Sequence, residues 1–141
     1  MTGIVVLDTN VWLDCLVFRD REATVLLEAL DHGLQPIASP RMRDELRLVL
    51  QRPAFAGRGP DALAALADFD ARVRPCDEAP ATALRCSDPA DQMFVDLACA
   101  QRAGWLLTRD RALLKLARRA ARLHGVTILT PAAFASAYHG A

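Results

Sequence analysis

The 141-residue sequence predicts a three-layer α/β/α domain, residues 1–141, built on a central, mostly parallel sheet of about five strands. Three observations carry that expectation. Short apolar runs alternate with longer stretches of helical spacing along the whole chain. The first run, residues 4–7 (IVVL), is continuous rather than alternating, as a strand buried on both faces requires. The pairs Ser39-Pro40, Asp88-Pro89 and Thr130-Pro131 each combine a capping residue with a proline suited to the first helical position.

In chain order, residues 4–7 form the first strand, and 11–18 and 21–31 follow with helical spacing. Residues 34–38 form a second short strand. Ser39 then caps a helix that runs from Pro40 to about Leu50. Residues 53–60 read as a loop, 61–71 as a helix and 73–76 as a strand, while 77–87 is the least patterned stretch and reads as a loop. Asp88-Pro89 opens a helix through Ala103, which Gly104 ends, and 105–108 reads as a strand. Residues 111–123 are helical and closed by His124-Gly125. Residues 126–129 form the last strand, and Thr130-Pro131 caps a terminal helix to about Tyr138. No internal repeat or low-complexity tract interrupts this order. In such sheets ligands bind beyond the carboxyl ends of the strands.

Composition narrows the function. Seven Gly and eight Pro are near average usage, which excludes linker-like, collagenous and disordered classes. The N-terminus, MTGIVVLD, lacks a basic leader and reaches an Asp after a short apolar run, so export and membrane insertion are not expected. Cys15, Cys76, Cys86 and Cys99 show no CxxC spacing, so they read as reduced thiols of a cytoplasmic protein. Net charge is zero, which argues against binding nucleic acid by bulk charge alone. That zero hides an asymmetry. Residues 1–70 carry 11 acidic and 7 basic side chains, residues 71–141 carry 6 and 10, and from Leu97 onward Asp110 is the one acid against seven bases.

Four acids fall at strand ends or on the first turns of the helices that follow. Asp8 ends the first strand; Asp110 repeats the arrangement after WLLT; Glu45 lies in the helix after Ser39-Pro40; and Asp91 lies one turn beyond Asp88. Each alone has a plainer role, as an N-cap or a solvated helix acid. Together they would repel one another and raise their own pKa values unless a cation compensates them. An all-oxygen set selects Mg²⁺ or Mn²⁺ over zinc, and His32, His124 and His139 lie away from the acidic motifs.

The segments VVLDTNVWL, SPRMRDELRLVLQRPAF, CSDPADQMFVDLA and WLLTRDRALL resemble the four motifs of PIN-domain ribonucleases. Their order and spacing are most similar to the branch of toxin components of type II toxin–antitoxin systems, over about residues 4–138. The resemblance implies that Asp8, Glu45, Asp91 and Asp110 are the catalytic and metal-binding acids, holding one or two Mg²⁺ or Mn²⁺ ions. It gives Thr9, Asn10 and Thr108 supporting roles. Asp91 is preferred to Asp96, which lies about 140° further round a helix, and Asp88 stays open as a further group approaching from the N-cap.

The implied activity is metal-dependent endonucleolytic hydrolysis of RNA phosphodiesters. Implied partners are an RNA substrate, a cognate antitoxin that blocks the acidic groove, and a second copy in a homodimer. Arg109, Arg111, Lys115, Arg118 and Arg122 then read as an RNA-binding face that positions phosphates without reading sequence, and Arg119 lies among them. The competing reading is a non-catalytic PIN-like module acting through RNA or protein contacts. A phosphoaspartyl domain would want an Asp where Asn10 stands, and a dinucleotide site would want a GxGxxG that is missing. Trp12, Leu16 and residues 25–27 are apolar enough for an interface, though a core explains them equally well.

Overall fold

The computed structural model describes residues 3–56 and 59–140. Strands β1 (Gly3–Leu7), β2 (Leu34–Ala38), β3 (Arg74–Pro75), β4 (Trp105–Leu107) and β5 (Thr127–Leu129) form one sheet in the order β3-β2-β1-β4-β5. Every neighbouring pair is parallel, so the sheet is wholly rather than mostly parallel. Helices α1 (Thr9–Leu13) and α2 (Arg21–Asp31) lead from β1 to β2, and α3 (Pro40–Leu50), α4 (Pro53–Ala56) and α5 (Gly59–Arg72) from β2 to β3. Helix α6 (Gln92–Ala100) precedes β4, α7 (Arg111–Leu114) and α8 (Ala117–His124) precede β5, and α9 (Pro131–Gly140) follows it. This is the expected three-layer α/β/α architecture.

The continuous apolar run of β1 has the predicted cause: Val5, Val6 and Leu7 are fully buried in the middle strand of the sheet. Trp12 and Leu16 also belong to the core, with the Trp12 ring edge-on to Phe69 at 4.8 Å, and Leu26 is fully buried beside them. Core packing therefore accounts for most of that stripe. Phe134 of α9 meets Trp105 of β4 edge-on, which holds α9 on the sheet, and stacks on Tyr138 one turn along the same helix.

Several predicted boundaries shift. The helix expected over 11–18 begins at Thr9, because the Asp8 carboxylate caps the Val11 amide at 2.9 Å, and its second half widens into a π-helical turn, Asp14–Phe18. Residues 53–60 are not all loop, since Pro53–Ala56 is a short helix and α5 already starts at Gly59; residues 57 and 58 lie outside the described residues. The helix expected from 88 to 103 is a 3₁₀ turn, Pro89–Asp91, followed by α6, which ends at Ala100. The helix over 111–123 is broken between α7 and α8. Ser39 occupies the N-cap position of α3, but its buried hydroxyl has no hydrogen-bond partner. The Glu78 carboxylate accepts the Arg41 amide instead, at 2.8 Å, reaching back from the loop before α6.

That loop, residues 77–87, is tied to α6 by two side chains, Gln92 and Asp96. The Gln92 amide donates to the Leu84 carbonyl at 2.8 Å and to Asp96 at 2.9 Å, and accepts the Cys86 amide at 2.7 Å; Asp96 accepts the Thr82 amide at 2.9 Å. Gln92→Ala is therefore expected to lower stability by about 1–3 kcal/mol in urea melts, because loop amides and carbonyls lose their partners. Limited proteolysis at 77–87 should accelerate with it; an unchanged cleavage rate would show that the loop does not need this clamp. Among the described residues the four cysteines are free thiols, and no helix is long and apolar enough to cross a membrane.

Candidate active site

The site is built where the chain changes direction across the sheet. After β1 the chain goes to β2 on one side, whereas β4 lies on the other and continues outward to β5. A crevice opens at such a point beyond the carboxyl ends of the strands. Leu7 is in register with Leu107, and the Asp8 amide donates to the Leu107 carbonyl at 3.2 Å, so Asp8 and Asp110 leave the sheet at the same edge.

Each acid is oriented by its own donors. Asp8 is buried; its Oδ1 accepts the Val11 amide at 2.9 Å and its Oδ2 accepts the Thr108 hydroxyl. Thr108, fully buried, also accepts the Asp110 amide at 2.9 Å, so one hydroxyl links the two strand ends. Asp110 caps α7 by accepting the Ala112 amide at 2.8 Å. Glu45 reaches the site from α3 and accepts the Thr9 hydroxyl. Asp88 caps the 3₁₀ turn through the Ala90 amide at 3.0 Å. Asp91, at the junction with α6, has a buried Oδ2 that no donor reaches.

These groups converge. A cavity of about 150 Å³ is lined by Asp8, Thr9, Asn10, Glu45, Asp91 and Asp110, with Val49, Phe94 and Arg52 completing the wall. One carboxylate oxygen each from Asp88, Asp91 and Asp110 lies within 4.8 Å of the others. Asp96 stands apart, tied to the loop through Thr82 and Gln92.

The electrostatics follow from that crowding. Burial, then the contact with Asp110 and the charges of Asp110, Asp88 and Asp8, push the Asp91 carboxyl up to about 8. Asp110, bonded to Asp91 and to the Ala112 amide, is held below the usual carboxylate range. Of the two, Asp91 is therefore the one that keeps its proton to higher pH. Burial also raises Asp8, against its bonds to Thr108 and Val11 and the nearby charge of Arg109. A hard divalent cation fits this set: the donors are all oxygen, and Asp91, one of the three clustered carboxylates, keeps a buried oxygen without a hydrogen-bond partner.

A PIN domain family model matches residues 4–112, a span that contains all of these acids. The chain belongs to the PIN-domain family. No curated protein matched this PIN domain in sequence. Among solved structures it is similar to one described as VapBC2 from Rickettsia felis bound to a DNA fragment from their promoter, with a TM-score of 0.63 over 90% of this chain and 98% of that one. Identity is 15%, so the likeness is one of fold.

The basic residues fall into two groups. Arg111, Lys115, Arg118 and Arg122 are exposed on α7, α8 and the turn between them, and none of the four makes an ion pair among the described residues. Arg109 differs, since it is ion-paired to the buried Asp14 of the π-helical turn. Sequence reasoning missed two residues near the site. Arg52 at the cavity wall continues the spacing of Glu45 and Val49 along and just past α3, which is a legible signal in retrospect. Asp14 had no signal, because the π turn that places it leaves no periodic mark.

Proposed function

We propose that this PIN domain is a Mg²⁺- or Mn²⁺-dependent endoribonuclease acting in the cytoplasm as the toxin of a toxin–antitoxin pair. The observation that carries the reading is the cluster of Asp88, Asp91 and Asp110 carboxylates, with an unpartnered buried oxygen on Asp91, at a cavity that Asp8 and Glu45 line with Asp91 and Asp110. Capping accounts for Asp8, Asp88 and Asp110 one by one, but their crowding against Asp91 costs the fold until a cation joins them.

Asp91, Asp110 and Asp88 would hold one ion, and Asp8 and Glu45 would complete the shell or help hold a second. Bound there, a divalent ion would acidify the attacking water and stabilise the departing oxygen of the phosphodiester. The chain's own part is orientation. Thr108 and the Val11 amide fix both oxygens of Asp8; Thr9 fixes Glu45; Asn10 and Arg52, exposed at the cavity, would meet the phosphate or its waters. The exposed cations of α7 and α8 run away from Asp110 and would carry the RNA backbone. The motif resemblance and the fold shared with VapBC2 support a cognate antitoxin as partner, and the motif resemblance alone implies a homodimer.

The deciding experiment incubates the purified chain with diverse RNAs and Mn²⁺ or Mg²⁺. Cleavage that EDTA stops and Asp8→Asn removes is the expected result. Binding without cleavage would favour the non-catalytic module. Substituting Arg118 or Arg122 by Ala should weaken RNA binding alike for all sequences and reduce the slope of log affinity against log salt by about one per residue. A slope unchanged in both variants would remove these residues from the RNA face.

A further inference from the structure

Arg109 stands between Thr108, which holds Asp8, and Asp110, which belongs to the carboxylate cluster. A guanidinium on a flexible stem beside so many carboxylates is expected to swing in and pair with them, occupying the place of a divalent ion. It does not. Its Nη2 is paired with Asp14 Oδ2, and the Asp14 side chain is only 12% exposed whereas that of Arg109 is 50% exposed. One nitrogen of the guanidinium is held, half of the side chain is exposed, and its charge still reaches Asp8.

The anchor is unusual in its backbone as well as in its burial. Asp14 opens a π-helical turn, a rare conformation that recurs at functional sites, and its carbonyl accepts the Arg19 amide at 2.6 Å. Arg19 closes the turn in a left-handed conformation, φ 50°. An α-helical continuation would move each following side chain by one residue's rotation and change how this stretch packs. Asp14 is also poorly suited to burial for its own sake: burial raises its carboxyl, Asp20 and Glu22 add like charge, and Arg109 is the cation that opposes them.

We infer that Asp14 is a positioning residue that withholds Arg109 from the acidic cavity, leaving the cavity to a divalent cation and the free edge of the guanidinium to an RNA phosphate. This rests on the nuclease reading above. Without the anchor, Arg109 collapses onto the carboxylates and competes with the metal.

The test is Mn²⁺ binding by calorimetry on the full chain, in three forms whose folding is checked by circular dichroism. Asp14→Asn is expected to weaken Mn²⁺ binding about tenfold. Adding Arg109→Gln to Asp14→Asn is expected to restore it, because the competing cation is gone. A merely structural pair would weaken binding in both variants, so a double variant as weak as the single one overturns the inference, as does an unchanged Asp14→Asn. A second measurement needs no variant: in wild-type protein the ¹⁵N guanidinium signals of Arg109 should stay in place as Mg²⁺ is added. A large shift, reporting release from the acidic cavity, overturns the inference even if Asp14→Asn fails to fold. Wild-type protein that binds no Mn²⁺ would instead remove the nuclease reading, and this inference with it.

Discussion

Asp8→Asn is expected to reduce Mn²⁺-dependent RNA cleavage on the order of a thousandfold, the effect of losing several kcal/mol of ion-borne transition-state stabilisation. The same change is expected to raise the melting temperature of the metal-free protein by a few degrees. The two effects have one cause. Asp8 is 5% exposed and burial raises its carboxyl, with Asp110 adding like charge, so the ionised form is unfavourable in the fold until a cation arrives. Asn keeps the volume and the cap on the Val11 amide, and its NH₂ reverses the bond to Thr108 by donating to the hydroxyl's second lone pair, the first accepting the Asp110 amide. Asp8→Ala would lose that cap and leave Thr108 short of a partner, so it should melt lower than wild type. Thermal melts in EDTA beside a cleavage assay check both parts. Retained cleavage would take Asp8 out of the ligand set, and a lowered melting temperature for Asp8→Asn would show that its charge is not a burden on the fold.

Mn²⁺ affinity is expected to rise about tenfold per pH unit from pH 6 to about 8 and then to level off, since each ion bound displaces about one proton. The proton is the one held by Asp91, pushed up to about 8 by burial and by its acidic neighbours. Stability of the metal-free protein runs the other way. Asp91 holds its proton in the folded state and releases it near 3.8 when unfolded, so its contribution is full below about 4 and is lost as pH rises through about 8. Asp110, held low, contributes in the opposite sense: its share is present above the ordinary carboxylate value and fades on acidification. Calorimetry in buffers of different ionisation enthalpy counts the released proton directly. A pH-independent affinity, or Asp91→Asn with the wild-type profile, would place the proton elsewhere.

Much of this was legible because it is local. Helix α2 starts and stops as read, at Arg21–Asp31, because Asp20 caps it through the Ala23 amide at 2.8 Å and its apolar spacing holds throughout. Strand β2 matches over Leu34–Ala38. Asp8 and Asp110 could be placed at strand exits because each directly follows an apolar run. Other features left no local mark. The apolar spacing of Leu113, Leu116 and Ala120 is served by one helix or by two, so the break after α7 is silent in the pattern. Strand β3 shrinks to Arg74–Pro75 because it lies at the sheet edge and pairs with β2 alone. Ser39 looked like a cap, but a glutamate from a distant loop reaches the α3 amide instead.

By itself, the sequence determined the α/β/α class, the exits of the strands and the acids that stand there. Short-range forces decide these matters: periodic burial, capping and turn chemistry act over a few residues. Only the tertiary structure decided which carboxylates share a site. It drew Asp88 in and set Asp96 against the loop, joined Asp8 to Thr108 across 100 residues and Glu45 to Thr9 across 36, and gave Arg109 to Asp14. Those pairings depend on strand order and on a π turn. A carboxylate's pKa, and with it the demand for a cation, exists only once the neighbours that shift it have been brought together.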